Sequence, residues 1–258
     1  MAGIYTVPVE QQWVSRIHLA AEAAKASGAR ICFSSGFDSI PFDLGVLMLQ
    51  KHAVDTHGSP APRVRGRMRA MQGTFSGGTA ASLGATMKKA ATNPGIIGVL
   101  RDPFALTPGF EGPDQPSGMV PRYEEDLGNW SAPFIMAAIN VRNVHRSNML
   151  MGYAYGENFR YSEMMAAPNG PGAYIASAGL GALTGALAFP PTRALMKGAV
   201  LPKPGEGPNR QQRETGYYKV LFIAKIEGGE TVSAIVKGDR DPGYGSTSKL
   251  IAESALHR

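Results

Sequence analysis

From Arg63 to Ala70 the chain alternates without a break, with Arg63, Arg65, Arg67 and Arg69 on one side and Val64, Gly66, Met68 and Ala70 on the other. A helix, repeating every ~3.6 residues, would smear that pattern round its axis; a strand sends successive side chains to opposite faces. The run therefore specifies a strand with one apolar or small face and one charged face, and it excludes an all-helical fold. The charged face is expected to be wet. It could be solvated, could pair with acids of another element, or could meet phosphates and acidic lipid headgroups.

Around this strand the other segments fall into order. Residues 10–26 read as an amphipathic helix with Trp13, Ile17, Ala20, Ala21 and Ala24 on one face, stopped by Gly28. Ile31-Cys32-Phe33 is a short apolar run, expected as a buried strand. The polar turn Ser34–Ser39 follows, and then a helix from near Pro41 through Leu49, which Asp38 or Ser39 can cap. His52 to Pro62 is a linker. After the alternating strand, Phe75-Ser76-Gly77-Gly78-Thr79 opens a helix to about Ala91. Residues 93–133 are expected to be mostly loop, and residues 134–160 partly helical. Tyr217–Ile226 and Thr231–Lys237 flank Glu227-Gly228-Gly229-Glu230, a hairpin signature. Gly243–Ser248 leads into a last helix to Leu256.

The fold class expected is α/β plus α+β: a partial Rossmann unit followed by a mixed, largely antiparallel sheet domain with helices. The expected divisions are 1–55 as the end of a Rossmann-type dinucleotide-binding domain, 62–240 as an α+β substrate or dimerisation domain, and 241–258 as a helix returning to the Rossmann part.

Composition narrows the function classes. Cys32 is the one cysteine, so there is no disulfide within the chain and no cysteine-rich zinc module, and a reducing cytoplasm is the expected location. The five histidines show no metal-ligand spacing. The net charge of +6 comes from scattered lysines and arginines, which does not point to nucleic acid. Met164 to Thr192 carries no charge; its core, 172–189, is expected as a buried or interfacial helix, with peripheral membrane contact or pairing of two subunits left open. Gly179-Leu180-Gly181-Ala182-Leu183-Thr184-Gly185 misses the dinucleotide-loop spacing by one residue and lacks its strand.

Two glycine-containing turns remain as candidate sites. Gly36, Phe37, Asp38 and Ser39 lie between an expected strand and a helix, where open α/β sheets bind ligands and helix-start N–H groups can hold an anion or a carbonyl. Ser76, Gly77, Gly78 and Thr79 form a second such turn, a candidate for substrate or an anion. Each could equally be a plain helix cap.

Taken in order, several pieces resemble one family. Gly36-Phe37-Asp38-Ser39-Ile40-Pro41-Phe42-Asp43-Leu44-Gly45 is similar to the signature of saccharopine dehydrogenase-like oxidoreductases, nearest to the trans-acting enoyl reductase branch. Ser76–Ser82, Ala132-Pro133-Phe134 with Ile139-Asn140, and Arg146-Ser147-Asn148 continue the match, as do Tyr155-Gly156, Gly205-Glu206-Gly207-Pro208 and Gly243-Tyr244-Gly245. The resemblance implies an NAD(P)-dependent reductase acting on lipid-linked enoyl substrates in lipid or glycolipid biosynthesis. Gly36, Phe37, Asp38 and Ser39 would then border the nicotinamide end of NAD or NADP. The family's opening glycine-rich loop and its final segment have no counterpart here, so a chain truncated at both ends is expected. A catalytically inactive fragment, acting as an interaction or lipid-associated module, is the alternative. Tyr153, Tyr155, Asp38 and His145 are all candidate proton donors, and no spacing selects one.

Overall fold

A computed structural model describes residues 22–73, 76–199, 202–203 and 205–256. It is a mixed α/β structure on one six-stranded sheet. The strands are β1 (Arg63–Gln72), β2 (Arg122–Glu124), β3 (Asn129–Pro133), β4 (Arg160–Ala167), β5 (Tyr217–Lys225) and β6 (Thr231–Gly238), in spatial order β2-β3-β4-β1-β5-β6. β1 runs parallel to β4 and antiparallel to β5; the other pairs are antiparallel. The helices are α1 (Ile40–His57), α2 (Gly77–Thr92), α3 (Pro94–Arg101), α4 (Ala137–Leu150), α5 (Gly170–Ala188), α6 (Pro190–Ala199), α7 (Arg210–Thr215) and α8 (Thr247–Leu256).

α1 forms where Pro41 occupies its first turn, and it ends at Gly58, whose φ of 78° lets its N–H close back on the Val54 carbonyl. Phe42, Val46, Leu49 and Ala53 recur at helical spacing and are buried against the sheet. Gln50 clamps the linker by bonding both the N–H and the carbonyl of Ala61, at 2.7 and 2.9 Å. This bond fixes where β1 begins.

The apolar side of the alternating strand faces the helices, as expected: Val64 and Met68 join Phe42, Val46, Leu49, Tyr161, Val220 and Phe222 in the main core. α5 covers the other end of the same sheet face through Ala173, which packs on Ala132 and Ala167 beside Trp130. Met165 packs against both clusters.

The arginine side departs from the wet face expected. Arg63 and Arg69 are exposed, but Arg67 is only 1% exposed. β2 carries Glu124 across the same face, and Arg67 donates to both its oxygens at 2.6 Å. A guanidinium so paired can be buried where a lone one cannot.

Other expectations divide. The hairpin forms as read, with Gly228 and Gly229 at φ 103° and 88° in its turn. Residues 22–27 are helical and Gly28 takes φ 72°, while the rest of the expected 10–26 helix lies outside the described residues. Residues 31–33 are not a strand: Ile31 is 54% exposed and Cys32 is exposed rather than packed. A strand needs neighbours for its backbone polar groups, and none runs beside this segment among the described residues. Within the expected loop at 93–133 lie α3, β2 and β3. β4 runs through the start of the uncharged stretch, hidden because its inward side carries Tyr161 and Glu163 rather than an apolar series. No helix of the described residues is long and apolar enough to cross a membrane.

Candidate functional site

A cleft of about 720 Å³ opens between the 24–35 segment, the start of α1 and one face of α4. Its polar lining includes Ser34, Ser35, Ser39, Asp43, Asn143, Arg146 and Ser147. α4 supplies much of this chemistry through regular spacing. Asn140, Asn143 and Ser147 fall on one helical face and reach β4, the N-cap of α1 and the first turn of α1. Asn143 donates to the Ser39 hydroxyl at 2.7 Å, Ser147 to the Asp43 carboxylate at 2.7 Å, and Asn140 to Glu163 on β4 at 2.7 Å. Arg146 anchors the rim by donating to the Leu106 carbonyl at 2.9 Å. Ser34 holds φ 57°, an uncommon conformation for a residue other than glycine.

Asp43 is the carboxylate of the cleft lining. Its Oδ2 takes the Ser147 hydrogen bond, and its buried Oδ1 has no partner among the described residues. Burial pushes its pKa up to about 6, against the smaller opposing effect of Ser147. Beneath it, Tyr161 and Asn140 both donate to Glu163, whose carboxyl is driven by burial to about 8. Asp43 also lies close enough to Tyr155 and Tyr161 to raise both phenols further, beyond the rise that burial causes.

Of the candidate residues, Ser39 lines the cleft, while Gly36, Phe37 and Asp38 are not among its lining residues. Phe37 is buried against Phe42 and Tyr218. The backbone donors of this turn are largely spent inside the fold: Phe37 N–H on the Thr247 hydroxyl at 3.1 Å, and the Ser39 and Ile40 N–H groups on the Gly36 carbonyl. Ser39 occupies the N-cap position of α1 without a side-chain cap bond, because its hydroxyl instead accepts from Asn143. Burial raises the Asp38 carboxyl, opposed by its own backbone N–H.

The second turn lies elsewhere. Ser76 caps α2 by accepting from Thr79 N–H at 3.1 Å, and the two hydroxyls share a 3.0 Å bond. Gly77 N–H and the Tyr244 hydroxyl both donate to the Glu206 carbonyl, at 2.8 and 3.1 Å. Three motif pieces distant in the sequence thus meet at one carbonyl. The 242–247 segment links the two turns, since Thr247 bonds Phe37 and the Tyr244 ring lies over Gly207.

His145 is buried between Phe104 and Phe159, and burial holds its pKa down at about 4, so it is neutral near pH 7. Asp43, Asn143 and Ser147 escaped the sequence reading although they stand inside or beside the quoted motifs. The available signal was a carboxylate set within the apolar first half of α1, directly after the buried Phe42. Among the described residues no three His, Cys, Asp or Glu side chains gather as a metal site.

Comparison with known proteins follows the same residues. A Mycobacterium tuberculosis protein provisionally named a trans-acting enoyl reductase is 38% identical over 254 residues, covering 93% of this chain. The chain is similar in sequence to proteins named trans-acting enoyl reductases. The Mycobacterium ulcerans protein of that name is 35% identical over 257 residues, and another of Mycobacterium tuberculosis 32% over 258, each across 93% of this chain. This chain spans 61% of the length of each of these relatives. No family model matches the chain, and no solved structure matches it significantly.

Proposed function

We propose that the chain belongs to an NAD(P)H-dependent enoyl reductase of saccharopine dehydrogenase-like descent, acting on lipid-linked enoyl substrates, and that the α1–α4 cleft is where its substrate is protonated. The observation that carries this reading is Asp43: a cleft carboxyl with one oxygen oriented by Ser147, the other without a partner, and a pKa raised to about 6. Reduction of a conjugated double bond adds a hydride at the β carbon, moves the π electrons toward the α carbon, and then requires a proton there. A reduced nicotinamide, when bound, supplies the hydride. The Asp43 carboxylic acid gives the proton, is left as carboxylate, and regains a proton from solvent through the open cleft. Ser147 fixes the orientation of that carboxyl. Ser39, Asn143 and the serines of the 34–35 segment offer the mixed donors and acceptors that fit a carboxamide ring.

A second reading, an interaction module without cofactor binding, draws on the 36–40 turn, whose N–H groups are consumed internally and leave little to hold a phosphate. Titrating NADPH and NADH into the purified chain, then assaying enoyl thioester reduction, separates the two. The reductase reading expects saturable binding and turnover, with Asp43→Asn lowering kcat by about 10²–10⁴-fold while leaving cofactor affinity unchanged. Carbon NMR of the Asp43 carboxyl should show titration near pH 6. Absence of saturable binding of either cofactor favours the module.

A further inference from the structure

The sheet face turned away from α1, α4 and α5 holds a charge imbalance that the cleft does not use. Arg63, Arg65 and Arg67 project from β1 and Arg122 from β2, while Glu124 and Asp126 are the carboxylates that pair with this group. Asp126 is taken by Arg65, and Glu124 is shared by Arg67, Arg65 and Arg122. Hydrogen bonds from Arg67 and Ser131 and the charges of Arg67 and Arg65 outweigh the upward push of burial and hold the Glu124 pKa at about 2, so this carboxylate is fully ionised and already committed. Arg122 receives only its margin: Nε lies 3.5 Å from Glu124, and the buried Nε and Nη2 have no hydrogen-bond partner among the described residues. Burial and the charge of Arg67, with smaller contributions from Arg63 and Arg65, push the Arg122 pKa down. The buried hydroxyl of Ser162, at the register position beside Arg65, is also without a partner. Arg63 stands exposed with no ion pair among the described residues.

We propose that Arg63, Arg65 and Arg122 form a binding site for a phosphate group. Four guanidiniums against two carboxylates leave two positive charges uncompensated, which matches a phosphomonoester dianion. The planar forks of arginine suit phosphate oxygens. Arg160 lies at the register position next to Arg63, and Lys219 and Lys237 pair across β5 and β6, so the surrounding field draws anions toward the cluster. The phosphate can belong to a soluble phosphate ester or to a lipid headgroup.

The test titrates inorganic phosphate and phenyl phosphate into the full chain at constant ionic strength, read by calorimetry and by nitrogen NMR of the arginine side chains. Saturable binding is expected, with shifts at Arg122 and Arg63. Arg63→Gln, an exposed change that leaves the fold intact, and Arg122→Gln should each weaken it about tenfold, the scale of one charge-assisted hydrogen bond. Asp43→Asn should bind like the parent chain. Sedimentation with phosphatidylglycerol vesicles, against phosphatidylcholine alone, distinguishes the sources. Pelleting that Arg63→Gln and Arg122→Gln abolish assigns a headgroup; phosphate binding without pelleting assigns a soluble ester. Shifts that grow without saturating, that chloride reproduces, or that persist unchanged in both variants overturn the site, as does failure of both phosphate and vesicles.

Discussion

Glu163 is a carboxylic acid kept neutral by its surroundings. It is 1% exposed, and its two oxygens are occupied by the Tyr161 hydroxyl and the Asn140 amide. Gly66 makes room for this pair, because a Cβ there would lie 2.7 Å from the Tyr161 hydroxyl. Burial raises the Glu163 pKa from 4.5 to about 8, so the native state binds this proton more tightly than the unfolded chain does. This contribution to stability is therefore full below about pH 4.5 and is lost progressively as the pH rises to about 8. Glu163→Gln, which keeps an oxygen for Tyr161 and carries no proton to lose, should flatten the fall in denaturant-measured stability across this window. A variant with the parent slope would show that another group titrates there. Asp43 acts in the same direction between 3.8 and about 6, so a smaller decline should remain at acidic pH.

At the level of elements, α1 is held to the sheet by close approach as much as by apolar area. A Cβ on Gly45 would lie 2.2 Å from the Phe222 ring of β5. Gly45→Ala thus gains helix propensity but forces the helix off the strand, and a net loss of about 1–3 kcal/mol is expected in urea unfolding. Phe222→Leu should cost less in the Gly45→Ala background than in the parent chain, since the two changes share one contact. Strict additivity would mean that the clash is absorbed elsewhere. α5 presents the contrast. Only a few of its residues, Ala173 and Leu187 among them, are buried, while Ile175 is 72% exposed. An uncharged element can thus owe its attachment to a few buried residues, here Gly170, Ala173 and Leu187.

For the molecule as a whole, the order β2-β3-β4-β1-β5-β6 puts β1 and β4 at the centre, joined in parallel across a crossover that contains α2, α3, β2, β3 and α4. Their amides, with those of β5, should be the last to exchange in native-state hydrogen exchange, while α5 and α8 exchange early. Fast exchange in β4 would contradict its central place. Ile175→Glu should change stability by no more than about 0.5 kcal/mol, as a surface substitution does. Local chemistry was enough to read β1 from its alternation, the 217–238 hairpin from its paired glycines, and α1 from Pro41 and its apolar spacing, because backbone geometry and turn conformation depend on neighbours in sequence. The same local reading made 31–33 a strand and overlooked β4, since pairing partners and buried hydrogen bonds are supplied by distant segments. It found Ser39 at the cleft but missed Asp43, Asn143 and Ser147, whose meeting depends on the packing of α1 against α4. Sequence alone thus determined the elements whose stabilising contacts are local and the similarity to proteins named trans-acting enoyl reductases. Tertiary structure decided which arginines are buried, which carboxyls keep their protons and where the cleft lies, because desolvation and charge pairing act across space between residues that the chain holds far apart.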